Sequence, residues 1–104
     1  KDVNEADYFA SKSFIGAHAF GPEGIMEANP VLVEGIRQFL NCVDQINIIC
    51  DSSKFEIKAR VVACPISRIH SVITDDGISD FMKKTLEDKG VKVVIADLPS
   101  PKIA

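Results

Sequence analysis

Apolar positions recur along this chain in two periods, and those periods lay out its elements. Residues 7–10, Asp-Tyr-Phe-Ala, read as a short strand. Residues 14–20 are apolar but broken by Gly16, and Gly21-Pro22-Glu23-Gly24 is a turn signature, since proline fixes φ and glycine permits positive φ. The stretch from Gly16 to Pro30 is therefore expected to be a long functional loop rather than an element. Asn29-Pro30 opens a helix, because asparagine caps and proline suits the first helical position. Leu32, Ile36, Phe39, Leu40 and Val43 then share one helical face, and the helix should end near Cys42. Gly35 weakens that helix by about 1 kcal/mol relative to alanine, or lets another backbone approach.

Three strand-like runs follow, at residues 45–50, 60–64 and 69–74. Asp51-Ser52-Ser53-Lys54 stops the first, Pro65 the second and Asp75-Asp76-Gly77 the third. Ser79 or Asp76 caps a second helix with Ile78, Phe81, Met82 and Leu86 at helical spacing, and Gly90 suits its C-terminal end. Lys83, Lys84 and Lys89 lie toward that end, where the helix dipole favours cations. Residues 91–96 form a last strand, and the tail Pro99-Ser100-Pro101 should fray. Alternating β-branched strands and helices predict an α/β domain: a parallel, Rossmann-like sheet flanked by helices. Two helices cannot cover both faces, so either the domain continues upstream or a partner chain covers one face.

Composition narrows the function classes. A chain of 104 residues makes one small domain or a piece of a larger one. With 46% hydrophobic and 26% charged residues, it is not globally disordered. Its net charge of −3 lacks the basic excess that grips nucleic-acid phosphates, so this segment is not expected to contact DNA. The three cysteines, Cys42, Cys50 and Cys64, have no C-x-x-C spacing, which suits a reducing cytoplasm. His18 and His70 are not clustered with them, so neither zinc nor a cofactor is expected. No apolar run approaches the ~20 residues of a membrane span, and the polar start Lys1–Glu5 shows no signal peptide.

Candidate chemistry follows from where polar residues meet strand ends, since open parallel sheets bind ligands beyond their carboxyl ends. Asp51-Ser52-Ser53-Lys54 offers acceptors for sugar hydroxyls and a cation for a phosphate, or simply a capped turn. Thr74-Asp75-Asp76 offers a second acidic end, or a helix cap. Gly16, Gly21 and Gly24 around His18 would let a backbone approach a ligand, but they match neither a Walker loop nor a dinucleotide fingerprint. His18 either touches a ligand or packs, His70 reads as structural, and Glu23 and Glu27 read as solvated. No Ser-His-Asp or Cys-His arrangement stands out.

Three runs carry a resemblance: Phe14-Ile15-Gly16-Ala17 with its Gly21/Gly24 loop, Cys50-Asp51-Ser52-Ser53-Lys54-Phe55, and Ile69-x-x-Val72-Ile73-Thr74-Asp75. With the closing Gly90-Val91-Lys92-Val93-Val94, they resemble the C-terminal effector-sensing domain of DeoR-family bacterial transcription regulators, from about Ala6 to Ala96. The resemblance implies a fold similar to ribose-5-phosphate isomerases and CoA-transferases. It implies binding of a phosphorylated sugar or related metabolite without catalysis, with operator DNA bound by an N-terminal winged helix-turn-helix absent from this chain. It places the family's Asp and Lys on Asp51 and Lys54, its glycine on Gly16 and its later acid on Asp75. Ser53 and His18 complete the expected ligand set. His18 and Phe20 depart from a small or polar run, which would suit a different sugar or a packing change. The family's phosphate-holding Gly-Thr-Thr loop is not in the chain, so its sheet is expected to be incomplete at the N-terminus, with a homo-oligomer completing the exposed edge. The other readings are a sugar-phosphate isomerase-like enzyme, with Asp51 as base and Lys54 as electrostatic stabiliser, or a structural oligomerisation module.

Overall fold

The computed structural model describes residues 10–59 and 61–97. The expected strand at 7–10 and the frayed tail lie outside these residues, save Ala10. Seven strands and two helices are described: β1 (Ala10–Gly16), β2 (Phe20–Gly21), β3 (Gly24–Glu27), α1 (Pro30–Leu40), β4 (Val43–Ile49), β5 (Val61–Pro65), β6 (Ile69–Thr74), α2 (Asp80–Asp88) and β7 (Lys92–Ile95). Strands β1, β4, β6 and β7 form a parallel sheet in that order, which is the α/β class that the sequence pattern predicts, although β1 covers residues beyond the short strand expected at 7–10. Its connections all step the same way, and right-handed crossovers of that kind put their helices on one face.

Register shows which face is the core. Ile15, Ile48, Val72 and Val93 stand side by side across the four strands and belong to the core or pack on it. The neighbouring residues Gly16, Ile49, Ile73 and Val94 point to the other face, where Ile49 stays 39% exposed. Phe14, one row back on that face, is 57% exposed. Beside it, buried Asn47 spans three strands. Its amide donates to the Ser13 carbonyl of β1 at 3.3 Å, and its oxygen accepts from the Ser71 hydroxyl of β6 at 2.5 Å. A polar group can be buried there because both of its ends are satisfied.

Two expectations are corrected here. The region 16–30 is not a long loop: it contains β2 and β3, which pair with β5 in a separate antiparallel sheet, order β2-β3-β5. The run at 60–64 thus belongs to this second sheet rather than to the parallel one. Buried Phe20 and Ile25 drive the pairing by joining the core. Gly24 permits it: its φ is +125°, and a Cβ there would run into the backbone of Cys64, Pro65 and Ile66.

The helices begin where the sequence places their caps. Asn29 Oδ1 accepts from Val31 N at 2.9 Å, and Ser79 Oγ accepts from Met82 N at 3.0 Å. α2 closes with Gly90 N donating to Glu87 O and Val91 N to Leu86 O, the paired bonds of a glycine-terminated helix. Its Lys83 and Lys84 pair with Glu87 and Asp88 one turn on. The buried face of α1 is rotated from expectation: Val33 and Leu40 are buried, whereas Leu32 and Phe39 are exposed. Arg37 and Arg68 fasten the helix in that setting. Arg37 Nη2 donates to Val62 O at 2.9 Å, and Arg68 Nη2 donates to Val43 O at 3.0 Å and Leu40 O at 3.3 Å.

Candidate functional site

The carboxyl ends of all four parallel strands share one edge of the sheet. β4 leaves it through Cys50, whose N–H still bonds Ile73 O at 3.1 Å. Asp51, in extended backbone, then caps a 3-10 turn over Ser52–Glu56. Its Oδ1 accepts from Ser53 N at 2.9 Å and also from the Ser53 hydroxyl. Its Oδ2 lies 3.5 Å from Lys54 Nζ, with the two side chains 39% and 33% exposed. The capped-turn reading of this run is therefore the observed local structure, and the turn presents its carboxylate and ammonium to solvent.

Asp75 does not cap α2; Ser79 does. Its carboxylate instead ties the ends of β4 and β6 together, accepting from Ser52 N at 2.9 Å and Gly77 N at 2.8 Å. Gly77 leaves this clasp undisturbed, because a Cβ there would push on the Ser52 hydroxyl and the Asp75 carboxylate.

Electrostatics follow from these bonds. The Ser53 hydroxyl, then its N–H and the Lys54 ammonium, hold the Asp51 carboxyl below its ordinary value. The Ser52 N–H, with help from the Ser52 hydroxyl and Gly77 N–H, does the same for Asp75. Burial, reinforced by the Asp51 charge, pushes the Cys50 thiol up to about 12, which removes it as a nucleophile at neutral pH.

The structure thus gathers Asp51, Ser53 and Lys54 in one turn, to which Asp75 is joined through its bond to Ser52 N. Gly16 borders it, in register with Ile49 at the end of β4. A Cβ at Gly16 would make only an ordinary 3.8 Å contact with Ile49 O, so packing does not require glycine there. His18 is exposed on the bend after β1, rather than packed, and no hydrogen bond joins it to the group among the described residues. His70 is also exposed, on β6. Sequence reasoning missed the strand-to-strand role of Asp75, since nothing local distinguishes a clasp from a cap. It also missed that the Thr74 hydroxyl, wholly buried just before it, has no partner among the described residues. Among those residues no three His, Cys, Asp or Glu side chains group as metal ligands, and no helix is long and apolar enough to cross a membrane.

An α/β domain with its polar group at the carboxyl edge of a parallel sheet has the architecture of a small-molecule binding domain. The chain belongs to the DeoR C-terminal sensor domain family, whose pattern it matches over residues 4–76. It is also similar to an uncharacterized HTH-type transcriptional regulator, YgbI, of Escherichia coli strain K12, with 26% identity over 85 residues. That match covers 82% of this chain and 33% of the relative, so the chain spans about a third of that regulator's length. No solved structure matches the chain. The family match gives the domain a regulatory sensing role.

Proposed function

We propose that the domain binds a phosphorylated sugar or a related metabolite at the carboxyl edge of its parallel sheet, without turnover. Occupancy is then passed to a DNA-binding domain elsewhere in the full-length protein. The observation that carries this reading is the Asp51–Ser53–Lys54 turn, held from below by Asp75 and left open to solvent. Asp51 and Ser53 serve the sugar hydroxyls, and Lys54 serves the phosphate. The half-exposed Lys54–Asp51 pair is worth under about 1 kcal/mol, whereas a hydrogen bond to a charged ligand group contributes about 1.5–3 kcal/mol. Lys54 is therefore held loosely enough to turn toward a ligand phosphate. Asp75 positions the turn, since both of its carboxylate oxygens already accept backbone N–H groups. Gly16 leaves room for a ligand, and exposed His18 stands beyond it on the following bend. For the ligand to alter DNA binding, it must favour one of two domain arrangements over the other.

The test is a thermal-shift screen of the full-length protein against sugar phosphates, with Lys54→Ala alongside. A ligand at about 100 times its dissociation constant adds nearly 3 kcal/mol, a visible shift. The expected result is a shift with one or a few compounds that disappears in Lys54→Ala while operator binding persists. A silent panel, or an unchanged response in the variant, removes Asp51 and Lys54 from the site.

A further inference from the structure

A cleft of about 380 Å³ opens between the antiparallel sheet, the segment after the 3-10 turn and the start of α2. Its walls are apolar: Phe20 and Met26 from the sheet, Phe55 and Ile57 from the segment after β4, Phe81 and Met82 from α2. Phe20 is buried and meets Phe55 edge to face, with ring centroids 6.1 Å apart, an arrangement that stiffens the wall. Ile57 and Phe81 stay in water, Phe81 to 78%. Yet Phe81 falls at the helical spacing of a core residue, alongside Ile78, Met82 and Leu86. At the edge of the cleft, Phe81 extends the apolar surface that the cleft offers a ligand.

Charge complementarity narrows the occupant. Glu23, at the tip of the β2–β3 hairpin, brings a carboxylate to the cleft. Lys58, on the opposite segment, brings an ammonium. The two are not paired with each other among the described residues. Neither Asp51 nor Lys54 lines the cleft. We propose that this cleft is a second binding site, distinct from the Asp51–Lys54 pair although Phe55 of the same turn forms part of its wall, for a small apolar zwitterion of the size of an aromatic or branched-chain amino acid. The apolar body lies against Phe55, Phe81 and Met82. The ligand carboxylate pairs with Lys58 and its ammonium with Glu23.

Isothermal titration of the full-length protein with L-phenylalanine and L-leucine tests this, with phenylacetate and 2-phenylethylamine as single-charge controls. The expected result is saturable one-to-one binding of an amino acid, with both controls weaker by about ten-fold or more. Phe81→Ser should weaken binding by about ten-fold, the value of burying part of an aromatic ring. Lys58→Gln and Glu23→Gln should each reduce L-phenylalanine to the affinity of the matching single-charge control. Melting temperatures confirm that these exposed-site variants fold. Lys54→Ala should bind the amino acid as the parent does, whatever it does to sugar phosphates. The proposal is overturned if neither amino acid binds, if phenylacetate binds equally well, or if Phe81→Ser and Lys58→Gln are both without effect. Loss of binding in Lys54→Ala also overturns it, by assigning the ligand to the Asp51 turn.

Discussion

Asp51 and Asp75 sit at the ends of neighbouring strands, yet the fold uses them differently. Asp51 caps its own turn two residues on, while Asp75 reaches across 23 residues of sequence to Ser52. Hydrogen bonds to the ionised form lower both carboxyl pKa values. Groups of this kind stabilise the fold above the unfolded carboxylate value of about 3.9, and that contribution disappears as pH falls through the lower folded value. Asp75→Asn is therefore expected to be less stable than the parent at pH 7, with the gap closing below about pH 4. Urea melts from pH 7 to pH 3 read this directly, and a gap that stays constant over the range would contradict it. The sequence showed that Asp75 ends a strand. It held no sign that Ser52 would be the partner, because that bond depends on two strands lying side by side.

At the scale of elements, the antiparallel sheet is the main departure from the sequence pattern. Its β2 has two residues and β3 four, too short for alternation to register as strand. Among the glycines that suggested a ligand loop, Gly24 has a steric role in the strand pairing. Gly24→Ala should break the β3–β5 pairing and destabilise the domain by several kcal/mol, of the order of other severe backbone clashes. Gly16→Ala should change the melting temperature little, since its Cβ meets open space apart from Ile49 O. Equal losses in the two variants would refute this distinction. α1 teaches a related lesson. Its apolar face is broad enough to hold Leu32, Val33, Ile36, Phe39 and Leu40, so periodicity alone does not say which edge of that face is buried, and packing buries the edge bearing Val33 and Leu40.

For the whole molecule, the two sheets share one core: Ile48 and Val72 from the parallel sheet pack in the same cluster as Phe20, Ile25 and Cys64 from the antiparallel one. They should open together. Cys50 reports on the first and Cys64 on the second, and burial raises both thiol pKa values. Thiol labelling in native buffer should therefore modify Cys42, half-buried in the turn after α1, well before the other two. Cys50 and Cys64 should then react at one common rate, that of global unfolding. A faster Cys64 would show that the antiparallel sheet opens separately. The second face of the parallel sheet, with Phe14 and Ile49 exposed, is the side that the same-handed crossovers leave without α1 or α2.

What the sequence alone determined was local or periodic: the parallel strands β4, β6 and β7, both helix starts with their Asn29 and Ser79 caps, the Gly90 stop and the Asp51 turn. Each depends on residues within a few positions of one another, or on one repeated spacing, so short-range chemistry suffices. Tertiary structure decided what depends on distant chain segments meeting. It placed β5 in a second sheet, turned α1 toward Val33, and joined Asp75 to Ser52 beneath the Asp51–Lys54 turn. It also left Phe81 in water at the edge of an apolar cleft. Those outcomes come from competition among whole packing arrangements, in which one shared core outweighs any local preference.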